Sequence, residues 1–212
     1  MKKGQKFKKE RKEVAGFMRR LYRQGLTTTS GGNISLRVSG DKIAITPSAT
    51  DKGKMNWKEV GIISVTGENL TPQLKPSIEL NLHLNIYRKL KDVMAIVHAH
   101  PVFSSSFTAM KHEINTSLTA EARAICGKPR LVPYALMGST ELADVVSEYA
   151  EKADILLLEN HGVLATGTDL LKAFDKLEVL ENAAKMTLIV EMKGKSSMLT
   201  PSRIKEIDRL FR

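Results

Sequence analysis

The sequence predicts one α/β domain over its 212 residues, a mixed β-sheet with helices on its faces. Three observations lead there. Short apolar runs such as "GIISVT", "VMAIVHAH" and "DILLLEN" read as strands, whereas longer stretches repeat their apolar residues at helical spacing. Strands and helices do not alternate strictly, which argues against a purely parallel, doubly wound sheet. No internal repeat, low-complexity linker or second core interrupts the pattern. A single domain of residues 1–212 is therefore expected, with residues 1–10 a basic, poorly ordered terminus.

Each element has its own signal. Over residues 11–23, Val14, Phe17, Met18 and Leu21 recur at the spacing of a helix, and Gly25 is its stop. "TTTSGGNIS", residues 27–35, is a polar loop carrying glycines. "ISLRVSGDKIAIT" alternates on either side of Ser39, Gly40 and Asp41, the pattern of a β-hairpin, and residues 61–66 add a strand. Pro76 is expected to open a helix that runs to Leu90. Residues 93–100 form a buried strand whose ladder Pro101 stops. A short helix or turn follows, then a helix over residues 118–125, a strand at "RLVPYA" and a helix over residues 141–150. "DILLLEN" and "GVLATG" are strands flanking His161. Residues 173–192 form an amphipathic helix, and a last short helix follows Pro201.

Composition narrows the function classes. Hydrophobic content of 42% with 26% charged residues suits an ordinary globular chain. No apolar stretch approaches the roughly 20 residues of a membrane helix. The basic start "MKKGQKFKKERKEV" lacks the apolar segment of a secretory signal, so a cytoplasmic protein is expected. One cysteine, Cys126, allows no internal disulfide and fits a reducing compartment. Of the net charge of +10, more than half lies in residues 1–12, with seven basic side chains against Glu10. That cluster is either a solvated terminus or an arm for nucleic acid; the first reading is preferred, and neither nucleic acid nor membrane is expected as a partner. The remaining positive charge suits an anionic small molecule.

The chemistry concentrates around histidine. His98 and His100 stand two apart on a strand, so both point to one face. Their Cα atoms then lie ~6.6 Å apart, close enough for two imidazoles to meet on one ion at ~2.0–2.1 Å each. Two surface histidines would show the same spacing. His161 ends an apolar strand immediately before Gly162, a position suited to a ligand or to a turn histidine. Glu79 sits at the start of the Pro76 helix. It either complements the helix dipole or serves as a carboxylate that ligates a metal at rest and exchanges protons during turnover. Ser77 is an N-cap candidate, and His83, one turn past Glu79, is either a packed helix histidine or a supporting group. "TTSGGNIS" and "ITPSAT" offer backbone N–H groups and small hydroxyls to an anion. Neither the phosphate-loop nor the dinucleotide fingerprint occurs, which disfavours a nucleotide fold.

Taken in order, "GLTTTSGGNIS", "ITPSAT", "KPSIELNLHLNIY", "IVHAHPVFSSSF", "VPYALMGSTELA" and "LLENHGVLATG" resemble the class II aldolase/adducin family, which includes fuculose-phosphate aldolase and ribulose-phosphate 4-epimerase. The likeness spans residues 11–192. It implies a central, mostly antiparallel sheet flanked by helices. It implies Zn²⁺ or a similar divalent ion on His98, His100 and His161, with Glu79 as ligand and acid/base. A phosphate pocket from Gly32, Asn33, Ser48, Ala49 and Ser77 is implied as well, in a homotetramer with active sites between subunits. The expected reaction is reversible cleavage of a ketose 1-phosphate into dihydroxyacetone phosphate and a small aldehyde. Decarboxylation of a 3-oxo acid phosphate, epimerisation and dehydration are alternatives on the same scaffold, and a non-catalytic adducin-like scaffold is another. Three departures stand out: Ile78 replaces a second serine before the glutamate, Ala49 replaces a common glycine, and no tyrosine stands near Thr119. Glu121 is the nearest candidate there for the distal acid/base.

Overall fold

Apolar residues alternate along the central strands, and the alternation divides them between two cores. The computed structural model describes residues 7–194 and 197–211. Its strands are β1 (Asn33–Ser39), β2 (Lys42–Ile45), β3 (Gly61–Ser64), β4 (Ala95–Ala99), β5 (Arg130–Val132), β6 (Ile155–Leu158) and β7 (Gly162–Gly167). They form one sheet in the order β3-β2-β1-β4-β7-β6-β5. The paired neighbours are antiparallel except β5 and β6, which run parallel. The mixed, mostly antiparallel sheet expected from the sequence is the one the chain forms.

The helices are α1 (Lys8–Arg23), α2 (Leu80–Lys89), α3 (Val102–Met110), α4 (Ala120–Cys126), α5 (Thr140–Ala150), α6 (Leu170–Lys193) and α7 (Pro201–Phe211). Ile34, Leu36, Ala95, Val97 and Ala165 share one core with α1, α3, α4 and α6. Ile43, Ile45, Ile96, Leu156 and Leu164 share the other with α2 and α5. Because both faces are covered, β4 and β7 read as continuous apolar runs. His98 has the parity of Ile96 and so lies on the side of α2 and α5. Side-chain caps start α4, α5 and α6: Thr119 accepts from Ala122 N at 3.1 Å, Ser139 from Leu142 N at 3.0 Å and Asp169 from Lys172 N at 2.8 Å. No described helix is long and apolar enough to cross a membrane.

Two expectations need correction. Pro76 does not open a helix. It pairs with Pro47 in an isolated antiparallel bridge, Ser77 Oγ then accepts the Glu79 N–H at 3.2 Å, and α2 begins only at Leu80 with Glu79 in its cap position. The long-range bridge holds Pro76 extended and delays the helix by one turn. The basic terminus also folds earlier than expected. α1 starts at Lys8, and Lys8 and Arg11 lie over the Trp57 ring at 5.4 and 5.2 Å. Buried Arg11 donates to the Val60 and Lys58 carbonyls, each at 2.9 Å, so a charge taken as solvated is structural. The rest of that segment, residues 1–6, lies outside the described residues.

A buried lysine joins two loops that the sequence singled out. Lys52 is 1% exposed; its Nζ donates to the Pro47 carbonyl at 2.8 Å, and its backbone N–H donates to Thr29 O at 2.9 Å. Burial pushes the Lys52 pKa down to about 8, against a smaller opposing pull from Glu59. The "TTSGGNIS" and "ITPSAT" loops are thereby tied together.

Candidate metal centre

Sheet order brings three histidines together. β4 lies between β1 and β7, with Asn33 opposite His98 and Leu164 opposite His98 on the other side. His98 is on β4, and His100 stands one residue beyond its end. His161 closes the turn between β6 and β7, where its backbone N–H donates to Leu158 O at 3.0 Å. The His98 ring centroid lies 4.9 Å from those of His100 and His161, which are 5.4 Å from each other. One nitrogen from each ring falls within 4.8 Å of the other two.

Glu79 reaches this cluster from the start of α2. His98 Nδ1 donates to the Val163 carbonyl at 2.9 Å, so its Nε2 carries a lone pair and no proton. That Nε2 stands 3.3 Å from Glu79 Oε2, and Glu79 Oε1 stands 3.2 Å from His161 Nε2. Among the described residues, Glu79 Oε1, His98 Nε2 and both nitrogens of His161 are buried without a hydrogen-bond partner. Burial lowers the pKa of His98 to about 4, opposed by the bond to Val163. Burial, then the neighbouring His98, lowers His100 and His161 to about 4, with Glu79 opposing. Neutral rings with lone pairs aimed at a carboxylate lack the positive charge that would hold them together. A divalent cation supplies it, and an N/O donor set of this kind fits zinc. The residues present fit the ion that the sequence resemblance implies.

Depressed histidine pKa values set a pH dependence. A neutral ring favoured by the fold is lost as the unfolded chain, with histidine near 6.5, takes up more protons than the native one. Stability of the metal-free protein is therefore full above about pH 6.5 and declines as pH falls toward 4, the value for His98, His100 and His161. Thermal melts of chelator-treated protein from pH 7.5 to 4 check this; a flat melting temperature across that window contradicts it.

Glycine makes room for the rings. A Cβ on Gly162 would lie 2.5 Å from His100 Cδ2 and 2.7 Å from the Ala99 carbonyl, closer than real contacts allow. Gly162→Ala is expected to cost about 1–3 kcal/mol of stability and to weaken metal binding by displacing His100. Chemical denaturation alongside a zinc titration measures both. At Gly32 the backbone has φ of +66° and a Cβ would meet the His98 carbonyl at 2.7 Å, so glycine is required there too.

Of the residues expected to bind phosphate, Asn33 touches Glu79 directly, and the others lie on loops that meet one another. The bridge from Pro47 to Pro76 and the bond from Ser48 N to Lys75 O at 3.1 Å bring the Ser48 and Ser77 loops together. Ala49 is exposed with φ of +51°, so the turn takes a conformation that glycine would adopt more readily. Asn33 is buried and faces inward: Nδ2 donates to Glu79 Oε2 at 2.7 Å, and Oδ1 faces His83 Nε2 within hydrogen-bonding distance. Glu121 stands apart from them. It is exposed in the first turn of α4, whose buried residues belong to the core on the opposite face of the sheet from α2. Ser35 and Tyr87 were not singled out from sequence, yet Ser35 Oγ lies 2.6 Å from His83 Nδ1 and 2.9 Å from the Tyr87 hydroxyl. Their signal was spacing: Ser35 is two residues from Asn33 on one strand face, and Glu79, His83 and Tyr87 follow at intervals of four.

Comparison with known proteins gives the family and the fold. The family model for the Class II Aldolase and Adducin N-terminal domain matches residues 12–188. An L-fuculose phosphate aldolase from Methanocaldococcus jannaschii is 37% identical over 180 residues, 85% of this chain and 96% of that protein. A 3-oxo-tetronate 4-phosphate decarboxylase from Haemophilus influenzae is 31% identical over 194 residues, 90% of this chain and 91% of that protein. A solved L-fuculose 1-phosphate aldolase has a TM-score of 0.88 at 28% identity, covering 96% of each chain.

Proposed function

The chain belongs to the class II aldolase and adducin family, and on that premise we propose that it is a zinc-dependent aldolase. It reversibly cleaves a ketose 1-phosphate, of the fuculose 1-phosphate kind, into dihydroxyacetone phosphate and a small aldehyde. The observation that carries this reading is the meeting of Glu79 with His98 and His161 at 3.2–3.3 Å, where Glu79 Oε1, His98 Nε2 and His161 Nε2 have no hydrogen-bond partner among the described residues. His98, His100, His161 and Glu79 would hold the ion. Once bound, a divalent cation supplies a Lewis acid that offsets the negative charge developing on the substrate's carbonyl oxygen.

The chain's own groups divide the remaining work. Glu79 gives a proton to the carbon that loses the aldehyde, and in synthesis removes it again. Its Oε1 is the oxygen suited to this, since Oε2 is held by Asn33. Gly32, Ser48, Ala49 and Ser77 hold the phosphate with backbone N–H groups and hydroxyls, joined by the second amide hydrogen of Asn33. Anchoring that end fixes the reacting carbons against Glu79. Glu121 serves the hydroxyl at the aldehyde end from a neighbouring copy in a homotetramer. Ile78, Tyr134, Leu136 and Met137 are 52%, 59%, 66% and 52% exposed on the loops beside Glu79, and a subunit contact there would cover them.

A second reading, decarboxylation of a 3-oxo acid 4-phosphate, is favoured by the likeness to the Haemophilus influenzae decarboxylase. One experiment separates the two. Purified, zinc-loaded protein is assayed against a panel of ketose 1-phosphates and against 3-oxo-tetronate 4-phosphate. Release of dihydroxyacetone phosphate from a ketose 1-phosphate is the expected result. Carbon dioxide release from the 3-oxo acid alone overturns the aldolase reading in favour of the second.

A further inference from the structure

Four buried side chains behind Glu79 form a line of hydrogen bonds whose direction can be worked out. Asn33 Nδ2 faces Glu79 Oε2 at 2.7 Å; a carboxylate accepts, so this end of the amide is the N–H donor. Asn33 Oδ1 therefore accepts from His83 Nε2, and the His83 proton must sit on Nε2. His83 Nδ1 is left as an acceptor, and Ser35 Oγ donates to it at 2.6 Å. With its hydrogen committed there, Ser35 Oγ accepts from the Tyr87 hydroxyl at 2.9 Å, a shorter contact than the 3.5 Å from that hydroxyl to the Met94 carbonyl. His83 and Tyr87 have no exposed surface, and burial keeps the imidazole neutral and the phenol protonated. Each member has one role that the next requires, from Tyr87 through Ser35 and His83 to Asn33.

We propose that His83 is a positioning residue for this site. With its ring held in place by Ser35 and its Nε2–H directed at Asn33 Oδ1, it holds the Asn33 amide so that Nδ2 grips Glu79 Oε2 and leaves Oε1 free for its work. A flipped amide would set Asn33 Oδ1 against the carboxylate and present N–H groups to the His83 N–H, two repulsive contacts in a buried place. The carboxylate is thus ordered before any ligand arrives. The inference rests on the reading of Glu79 as ligand and acid/base.

The test compares His83→Leu, His83→Gln and Ser35→Ala in the full chain. Zinc affinity is measured by competition with a chromophoric chelator, with melting temperature and, where turnover is found, kcat and KM. His83→Leu should lose about tenfold or more in zinc affinity and a similar factor in kcat, the scale of lost supporting contacts at metal sites, with KM within about twofold. His83→Gln should recover most of the loss, because its amide N–H reaches the place of Nε2–H. Ser35→Ala should fall between them. A packing role alone predicts the reverse order, with apolar leucine tolerated better than glutamine, and overturns the proposal. If His83→Leu does not fold, Ser35→Ala and Tyr87→Phe decide, and wild-type zinc affinity in both counts against it. Wild-type protein that binds zinc but cleaves no ketose 1-phosphate removes the aldolase reading while the zinc ranking still tests the relay. Wild-type protein that binds no zinc removes both.

Discussion

Replacing His98 by alanine should abolish stoichiometric zinc and lower kcat/KM by more than about 100-fold. Loss of a group that merely supports a ligand costs about 10–100-fold, so loss of a ligand should exceed that range. His98 lies at the centre of the cluster, fully buried between β1 and β7, and its Nε2 has no hydrogen-bond partner among the described residues. The alanine variant also leaves a cavity and should melt lower. His161→Ala separates the two effects. That ring sits in a turn and is only partly buried, so zinc should be lost with a smaller drop in melting temperature. Metal analysis of the purified variants, with steady-state kinetics on zinc-supplemented samples, is the measurement. Zinc bound at one per chain in both would contradict the assignment.

Glu79→Gln should divide binding from proton transfer. The amide has nearly the shape of the carboxylate, and its oxygen can still accept from Asn33 Nδ2, which donates to Glu79 Oε2 at 2.7 Å. It cannot take a proton from carbon. A loss of about 10²–10⁴ in kcat is expected, the range of a positioned acid or base, with zinc retained at reduced affinity and KM little changed. The sharper readout is isotopic. The native protein should exchange a carbon-bound hydrogen of dihydroxyacetone phosphate with D₂O in the absence of aldehyde, and Glu79→Gln should not. Exchange at the native rate in the variant would remove Glu79 from the role of base.

Much of this site was legible because its geometry follows short periodicities. His98 and His100 share a strand face by their spacing of two, and His161 precedes a glycine that a Cβ could not replace without striking the His100 ring. Glu79, His83 and Tyr87 stand at intervals of four, one stripe running from the cap of α2 along the helix. Ser35, two residues from Asn33 on β1, follows the strand rule. The order of the strands was not legible, because pairing β1 with β4 and β4 with β7 joins segments far apart in the chain. The same long-range contacts explain the misplaced helix start at Pro76, held by Pro47, and the buried Arg11, held by Val60 and Lys58. Local propensity knows nothing of these partners. Glu121 shows the opposite limit. Its chain position resembles that of an acid/base, yet within one chain the fold sets it on α4, away from the histidines.

X-ray absorption at the zinc edge of the loaded protein tests the central claim most directly. Three imidazole nitrogens at ~2.0–2.1 Å, with multiple-scattering signatures of histidine and an oxygen neighbour, are the predicted shell. The nitrogen count should drop in His161→Ala. A spectrum with fewer than two imidazoles, or one unchanged by that substitution, would mean that the metal binds elsewhere and that His98, His100, His161 and Glu79 do not form its site.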